Sequence, residues 1–201
     1  MWGFIPYELL PQLQWLTRTD YMHVYYVDLK PKVTDARIFT PDADHPNGWG
    51  TILIGGFRMG GSCKACTAGT GAPEMKVNIG GTDRYFYSAY FVLDVTNPEA
   101  DPKLLWSFSY QDLGLTTSYP AVVRVNPSGS AKTDNTNAKW FLVVGSGPTD
   151  YAGTSSGQES RLFAVDLKTG PKDGAGSNLF TEFKRGDAKA FMGDLISLDA
   201  N

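Results

Sequence analysis

Two cysteines stand close together, Cys63 and Cys66, inside the glycine-rich stretch GGSCKACTAGTGAP. A C-x-x-C pair can form a disulfide, supply half of a zinc site, act as a thiol-redox pair or attach haem. Haem attachment needs a histidine next, and Thr67 follows. The two histidines, His23 and His45, show no ligand spacing for zinc. Flanking glycines favour a loop, and an exported protein would meet an oxidising compartment, so we predict a local disulfide; free thiols, metal or redox chemistry are the alternatives.

Carboxylates are the second group that could do chemistry. Asp28, Asp35, Asp42 and Asp44 are loosely clustered, and the last two precede His45 in a proline-bounded loop. Paired carboxylates can act as acid and base or hold a cation. A polar surface loop explains them equally well. The chain has no G-x-S-x-G motif, and GSGPTDYAGTSSG lacks the G-K-[ST] of a phosphate loop, so we predict no catalytic residues.

Composition narrows the class of protein. The 201 residues are 42% hydrophobic and 13% aromatic, with 22 glycines, 12 prolines and a net charge of -3. This balance provides no basic field for nucleic acid, and it favours an all-β chain with many turns. No apolar run is long enough to span a membrane. The N-terminus MWGFIPYELL lacks the pattern of a signal peptide, so we expect any signal to lie outside this sequence.

The elements that position these groups are mainly short strands. Pro6 and the leucines from Leu9 to Leu16 predict a short N-terminal helix, which Pro11 should kink. After it come runs rich in β-branched and aromatic residues, separated by Gly, Pro, Asn or Asp. The runs are HVYYV from His23, ARIF from Ala36, TILI from Thr51, AYFVLDV from Ala89, LLWSF from Leu104, AVVRV from Ala121, WFLVV from Trp140, RLFAVDL from Arg161, LFTEF from Leu179 and DLISL from Asp194.

The order of these runs repeats. TILIGG, which contains Gly55, precedes FVLDVTNP with Asp94 and then LLWSF. Later, FLVVGSG with Gly145 precedes LFAVDLKTG with Asp166 and then LFTEF. Each copy also has a leading run, KPKVTDARIF or SYPAVVRV. The spacings agree once an insertion near residues 60–80 is removed from the first copy.

A four-run unit with variable loops is typical of a β-propeller blade, because one blade exposes both faces and must stack on its neighbours. The aspartate that ends the third run should accept backbone N–H groups in the following turn. We predict an all-β fold: a partial β-propeller of about two and a half four-stranded blades in one domain, with a β-sandwich as the alternative. The boundaries are 1–22 for a helical lead-in, 23–110 and 117–184 for two blades, and 191–201 for the first strand of a third. We expect the missing blades in the remainder of a parent protein or in another chain.

Several long motifs carry a resemblance to a known family. WGFIPYELLPQLQWL, YMHVYYVDLKPKVTDA, GWGTILIGGFRMGG, YFVLDVTNPEADPKLLWSFSYQDLGLTTSYPAVVRV and WFLVVGSGP…RLFAVDLKTG resemble the propeller domain of PilY-type proteins. These are bacterial type IV pilus tip adhesins and biogenesis factors. The resemblance runs from Trp2 to Asn201 and implies a modified propeller at the pilus tip or outer membrane. GSG…LFAVDLKTG also resembles the repeats of quinoprotein dehydrogenases, which we interpret as shared blade architecture.

The resemblance also implies a calcium loop. FMGDLISLDAN resembles the strand that leads into it, and Asp199 and Asn201 match its first two ligand positions in D-x-N spacing. Calcium takes about six to eight oxygen ligands, so further residues would have to complete the site. A solvated strand end explains the same two residues in this sequence.

These observations lead to one expected function and two alternatives. We expect a non-catalytic scaffold for pilus assembly and adhesion at the bacterial cell surface, at the pilus tip or in the outer membrane or periplasm. Its expected partners are pilins or minor pilins and a host or abiotic surface, with calcium acting in the full-length parent. The alternatives are a propeller oxidoreductase of the pyrroloquinoline-quinone type and an interaction module with no pilus link.

Overall fold

The structure is a computed structural model that describes residues 2–66, 74–127, 137–173, 175–186 and 189–197. The helices among these residues are two 3-10 segments, Tyr7–Thr17 and Pro46–Gly48. Its strands are β1 (Lys32–Arg37), β2 (Trp49–Gly56), β3 (Lys76–Ile79), β4 (Thr82–Tyr85), β5 (Ala89–Asp94), β6 (Lys103–Ser109), β7 (Ala121–Val125), β8 (Lys139–Gly145), β9 (Arg161–Asp166) and β10 (Phe180–Lys184).

Eight of these strands form two four-stranded sheets. The first sheet has the order β1-β2-β5-β6 and the second the order β7-β8-β9-β10, read from either edge, and all pairs are antiparallel. Each predicted four-run unit is therefore one sheet, and the all-β class is confirmed. Neither sheet closes on itself within the described residues, so the propeller stays a prediction.

The insertion in the first copy contains a hairpin that the sequence analysis did not predict. β3 and β4 pair antiparallel across Gly80 and Gly81, which both have positive φ (59° and 83°). A two-residue hairpin turn whose twist matches that of the strands needs positive φ at both of its central residues. Glycine adopts positive φ without steric cost. The Gly-Gly pair was thus an available signal.

Alternate residues of β5 enter two different hydrophobic cores. Tyr90 and Val92 lie in the core between the two sheets, together with residues of β2, β8 and β9. Ala89, Phe91 and Leu93 face the other way and pack with Leu9 of the N-terminal helix. Because successive strand side chains point to opposite faces, covering both faces buries all six residues of β5.

The predicted N-terminal helix is present as a 3-10 helix. Pro11 lies inside it and has no N–H to donate, which removes one α-helical hydrogen bond. Leu9 N–H donates to Pro6 O, the shorter i to i−3 pattern. Among the described residues, no helix is long and apolar enough to cross a membrane.

Two predicted strands differ from the structure. HVYYV from His23 is wrong as a strand: this segment has no strand pairing, and Met22 just before it is 82% exposed. Its residues have high β-propensity, but that propensity depends on packing against a partner strand, and this segment pairs with none of the described strands. DLISL from Asp194 is not a strand as far as residue 197, and residues 198–201 lie outside the described residues.

Candidate functional site

The connections of the two sheets separate into two ends, because antiparallel strands reverse direction at each turn. At one end lie the longer connections and the segment before β1; we call it the disulfide end. It comprises the described residues of 20–31, 57–66, 110–120, 146–160 and 185–193. At the opposite end lie residues 38–48, 95–102 and the described residues of 167–179.

Cys63 and Cys66 are joined by a disulfide in the structure, with Cα atoms 5.1 Å apart. Both residues are buried, and they pack against Leu115 and Met59. Leu115 belongs to the connection between the two sheets. The disulfide therefore lies at the junction of the sheets, where its two cysteines are shielded from solvent.

Ser62 fixes this loop to the start of β5. Its hydroxyl donates to Phe86 O at 2.5 Å and accepts from Met75 N–H at 3.1 Å. Its carbonyl accepts from Ser88 N–H at 2.6 Å. Gly61, with φ +77°, brings the chains together: a Cβ there would stand 2.7 Å from Ser88 Cα. Glycine is required at this close approach.

Thr116 binds the connection between the sheets to the end of β2. Its Oγ1 accepts hydrogen bonds from Phe57 N–H (3.0 Å) and Arg58 N–H (3.1 Å). Its own N–H donates to Ser88 Oγ at 3.2 Å. Arg58 has φ +57°, which is costly for a residue with a side chain. The hydrogen bond to Thr116 helps to hold it there.

The segment around Met192 packs on the second sheet in a similar position. Met192 N–H donates to Ser146 O at 2.8 Å, and Ser118 Oγ donates to Gly193 O at 2.9 Å. Gly145 makes room for it, since a Cβ at Gly145 would lie 2.2 Å from the Met192 Cβ. Each sheet is thus covered, at the end of its second strand, by the chain that follows its fourth strand.

Arg161 supplies the charged contact at this junction. Its guanidinium binds Asp112 at 2.6 Å and also Glu182, so it links β9, β10 and the connection between the sheets. Burial opposes the charge, but the two carboxylates outweigh burial and raise the pKa of Arg161. This guanidinium stays charged at any pH at which the protein is folded.

The opposite end contains a buried histidine between two carboxylates. His45 Nδ1 lies 2.8 Å from Asp42 Oδ1, and its Nε2 lies 3.0 Å from Asp94 Oδ2. The ring is 6% exposed and stacks on Phe39 with 4.0 Å between ring centroids. Burial lowers the pKa of His45, but hydrogen bonds and charges from the two aspartates outweigh it and leave the pKa raised. Both ring nitrogens face acceptors, which favours the imidazolium form.

The aspartates that end β5 and β9 occupy equivalent turns. Asp94 Oδ1 accepts from Thr96 N–H (3.0 Å) and its hydroxyl (2.7 Å), while Asp166 Oδ1 accepts from the N–H groups of Lys168 (2.8 Å) and Thr169 (3.0 Å). The predicted role of these aspartates in the turns is confirmed. Burial raises the pKa of Asp94, whereas its bonds to Thr96 and His45 lower it, and the net shift is downward.

The four aspartates grouped in the sequence do not meet at one site. Asp28 binds Arg58 at the disulfide end at 3.1 Å, and Asp35 accepts from a threonine hydroxyl on the neighbouring strand. Asp42 contacts His45, and Asp44 accepts from Asn97 at 3.1 Å. The predicted ligands Asp199 and Asn201 lie outside the described residues. Within the described ranges, no group of three or more His, Cys, Asp or Glu could hold a metal ion.

The geometry of the site does not identify the family of this chain, so we compared the chain with known proteins. PilY1, a type IV pilus biogenesis factor of Pseudomonas aeruginosa strain PAO1, is 32% identical over 174 residues, which cover 84% of this chain and 11% of that protein. A PilY1 homolog of Xylella fastidiosa Temecula1 is 27% identical over 173 residues, covering 85% of this chain and 10% of the homolog. This chain is a PilY-type protein.

The PilY-type chain spans about a tenth of the length of the curated relatives that it matches. A second Xylella fastidiosa homolog is 25% identical over 173 residues, covering 84% of the chain and 8% of that protein. No family model matches the chain, and no solved structure matches it. The resemblance seen in the sequence motifs is therefore confirmed at the level of the family.

Proposed function

We propose that this PilY-type chain is a non-catalytic scaffold of type IV pilus biogenesis and adhesion that presents its disulfide end to a pilin or to a surface. The names of the relatives support the pilus role. One observation supports the choice of surface: Thr116 and Arg161 hold the connections of both sheets together at that end, and the disulfide loop packs against Leu115 between the sheets. A braced junction beneath long loops suits recognition, since loops positioned by a scaffold commonly carry binding function.

The scaffold in this proposal is part of a propeller. This part of the proposal is supported by a contact that recurs in both sheets. The segment around Thr116 covers the first sheet, and the segment around Met192 covers the second. Blades of a propeller stack in the same way on their neighbours. The remaining blades would come from the rest of the parent protein or from another chain.

The proposed location is the bacterial cell surface, at the pilus tip or in the outer membrane or periplasm. The disulfide supports it, because disulfides persist mainly in oxidising compartments. A pilin or minor pilins and a host or abiotic surface are the proposed partners.

Calcium belongs to the proposal for the full-length parent only. Asp199 and Asn201 offer the carboxylate and amide oxygens that calcium prefers. Isothermal titration of calcium into this chain and into a version extended past Asn201 tests the idea. We expect saturable binding to the extended protein and weaker or no binding to this chain; no binding to the extended protein would overturn the calcium proposal.

The pilus role is tested in a bacterium that encodes the parent protein and assembles type IV pili. The gene is deleted and restored with full-length wild type, with Tyr25→Glu and Lys64→Glu at the disulfide end, or with Glu99→Lys and Lys168→Glu at the opposite end. All four side chains are exposed, so folding should be retained. We expect the deletion and the disulfide-end variant to lower surface pilin in sheared fractions severalfold, and the opposite-end variant to match wild type.

Two results would contradict the proposal in different ways. Normal surface pili after gene deletion would remove the biogenesis role. Equal effects of the two paired variants would retain that role and remove the assignment of the surface. Quinone-dependent dye reduction by the purified parent protein would favour the oxidoreductase alternative.

A further inference from the structure

A recess of about 370 Å³ lies between the N-terminal helix and the disulfide loop. Aromatic rings and thioethers dominate its walls, contributed by Trp15, Tyr21, Met22, Met75 and Tyr151. A volume of this size suits a single small ligand or one large side chain.

One residue that lines the recess carries a buried polar group without a partner. Gln12, on the inner face of the helix, lines it and is only 3% exposed. Its Oε1 is buried and has no hydrogen-bond partner among the described residues. Its backbone carbonyl, by contrast, accepts from the Tyr26 hydroxyl at 3.4 Å. A buried acceptor left unpaired costs free energy, which a ligand with an N–H or O–H group would recover.

The walls favour an aromatic ligand without net charge. Thioethers such as those of Met22 and Met75 make favourable contacts with aromatic rings, and aromatic walls offer edge-to-face packing. At the rim, Arg18 and Asp20 form an ion pair at 2.8 Å, so their charges offset each other. A charged ligand would thus gain no unpaired counter-charge there.

We propose that this recess binds an aromatic ring that carries an N–H or O–H donor, namely the side chain of a tryptophan or tyrosine of a partner protein. The ring lies between the thioethers and Tyr151, and its donor reaches Gln12 Oε1. The proposal concerns the chemistry of the ligand and does not depend on the pilus role.

The test measures binding of 5-fluoroindole and 1-methyl-5-fluoroindole to the purified chain by ¹⁹F NMR titration. The second probe keeps the ring and lacks the donor. We expect saturable binding of 5-fluoroindole and about tenfold weaker binding of the methylated probe, the value of one neutral hydrogen bond. N-acetyl-tryptophanamide should displace 5-fluoroindole, because the proposed ligand is a side chain attached to a backbone.

Three variants locate the contact. Gln12→Leu should bring the affinities of the two probes together, whereas Gln14→Leu, an exposed change on the same helix, should keep the wild-type ratio. Tyr151→Ala should weaken both probes equally, since it removes a wall and leaves the acceptor. Thermal unfolding of each variant checks that it is folded.

The proposal is overturned by any of four results. They are the absence of saturable 5-fluoroindole binding, equal affinities of the two probes for wild type, an unchanged ratio in folded Gln12→Leu, and no effect of Tyr151→Ala. Failure of N-acetyl-tryptophanamide to compete would overturn the assignment to a protein side chain. If Gln12→Leu does not fold, the ratio of the affinities of the two probes for wild type still tests the proposal.

Discussion

The two ends of the sheets are held by different chemistry. At the disulfide end, Thr116 and Arg161 tie the connection between the sheets to both of them, and the disulfide loop packs against Leu115 of that connection. At the opposite end, the loop between β1 and β2 is held to β5 through His45 and two aspartates. The disulfide, the hydroxyl groups and the Arg161 guanidinium keep their charge near neutral pH, whereas a histidine such as His45 can change its charge there. We therefore expect the stability of one end to depend on redox state and the stability of the other end to depend on pH.

The separation of the ends makes this comparison testable. Strands of five to eight residues lie between them, which corresponds to roughly 17–27 Å of chain. Substitutions at the two ends share no partners, so their effects on stability should add.

The largest effect is expected for Thr116→Val. The variant keeps the shape of the side chain, removes the acceptor of Arg58 N–H and the buried hydroxyl partner of Ser88, and leaves Phe57 N–H with Ala89 O alone. We expect the free energy of unfolding to fall by about 3 kcal/mol. Urea unfolding measures it, with Thr34→Val on β1 as the matched control. A loss no greater than that of the control would show that Thr116 does not hold the junction.

Removal of the disulfide should come next. Because the bond closes a very short loop, the double variant Cys63→Ser and Cys66→Ser should lose about 2 kcal/mol. Wild type in reductant should match the double variant in the same urea titration. Equal stability with and without reductant would mean that the disulfide contributes nothing to the junction.

The equivalent turns of the two sheets provide an internal comparison. Asp94→Asn removes a charge that faces His45, so we expect a loss of about 1.5 kcal/mol. Asp166→Asn keeps an acceptor for the same backbone donors and faces no histidine, so the loss should be about 0.5 kcal/mol. Unfolding of both variants at pH 6 measures the difference. Equal losses would contradict the ionic contact at Asp94.

The smallest effect is the dependence of stability on pH. The pKa of His45 is raised in the folded protein, so its contribution is complete below its unfolded pKa and is lost as pH rises through the folded pKa. The lowered pKa values of Asp42 and Asp94 act oppositely: their contributions are lost as pH falls through the folded values. Urea midpoints should therefore decline as pH rises above about 6.5.

Variants of the two histidines isolate this dependence. His45→Gln should remove most of the decline, and His23→Gln, which changes a solvent-exposed histidine, should keep it. The same pH series on the disulfide variant should retain the wild-type slope. A slope that persists in His45→Gln would assign it to other groups.

The sheets could be predicted from the sequence because their signals are local. Gly55 and Gly145 lie at or next to the last residue of the second strands, Asp94 and Asp166 end the third, and these positions recur in order. Glycine at these positions lets a neighbouring segment of chain approach the strand closely. Aspartate accepts hydrogen bonds from the backbone of the turn that follows. HVYYV from His23 is as rich in β-branched and aromatic residues as the true strands, but it has no partner strand. Residue composition does not reveal whether a partner strand is present.

The junction could not be predicted in the same way. Ser62, Ser88 and Thr116 are small hydroxyl residues far apart in the sequence, and their roles depend on which backbone donors the fold brings to them. His45 shows the same limit, since Asp94 lies 49 residues away. CKAC was the one part of the junction with a sequence signature, and even this motif left several kinds of chemistry open.

Photo-crosslinking tests most directly whether the disulfide end faces the pilus. p-Benzoylphenylalanine is placed in the full-length parent at Tyr25 or Tyr151 of the disulfide end, or at Glu99 or Lys168 of the opposite end, in cells that assemble pili. All four positions are exposed. We predict cross-links to a pilin from Tyr25 and Tyr151 and none from Glu99 and Lys168. Pilin cross-links from the opposite end alone, or from none of the four positions, would contradict the account.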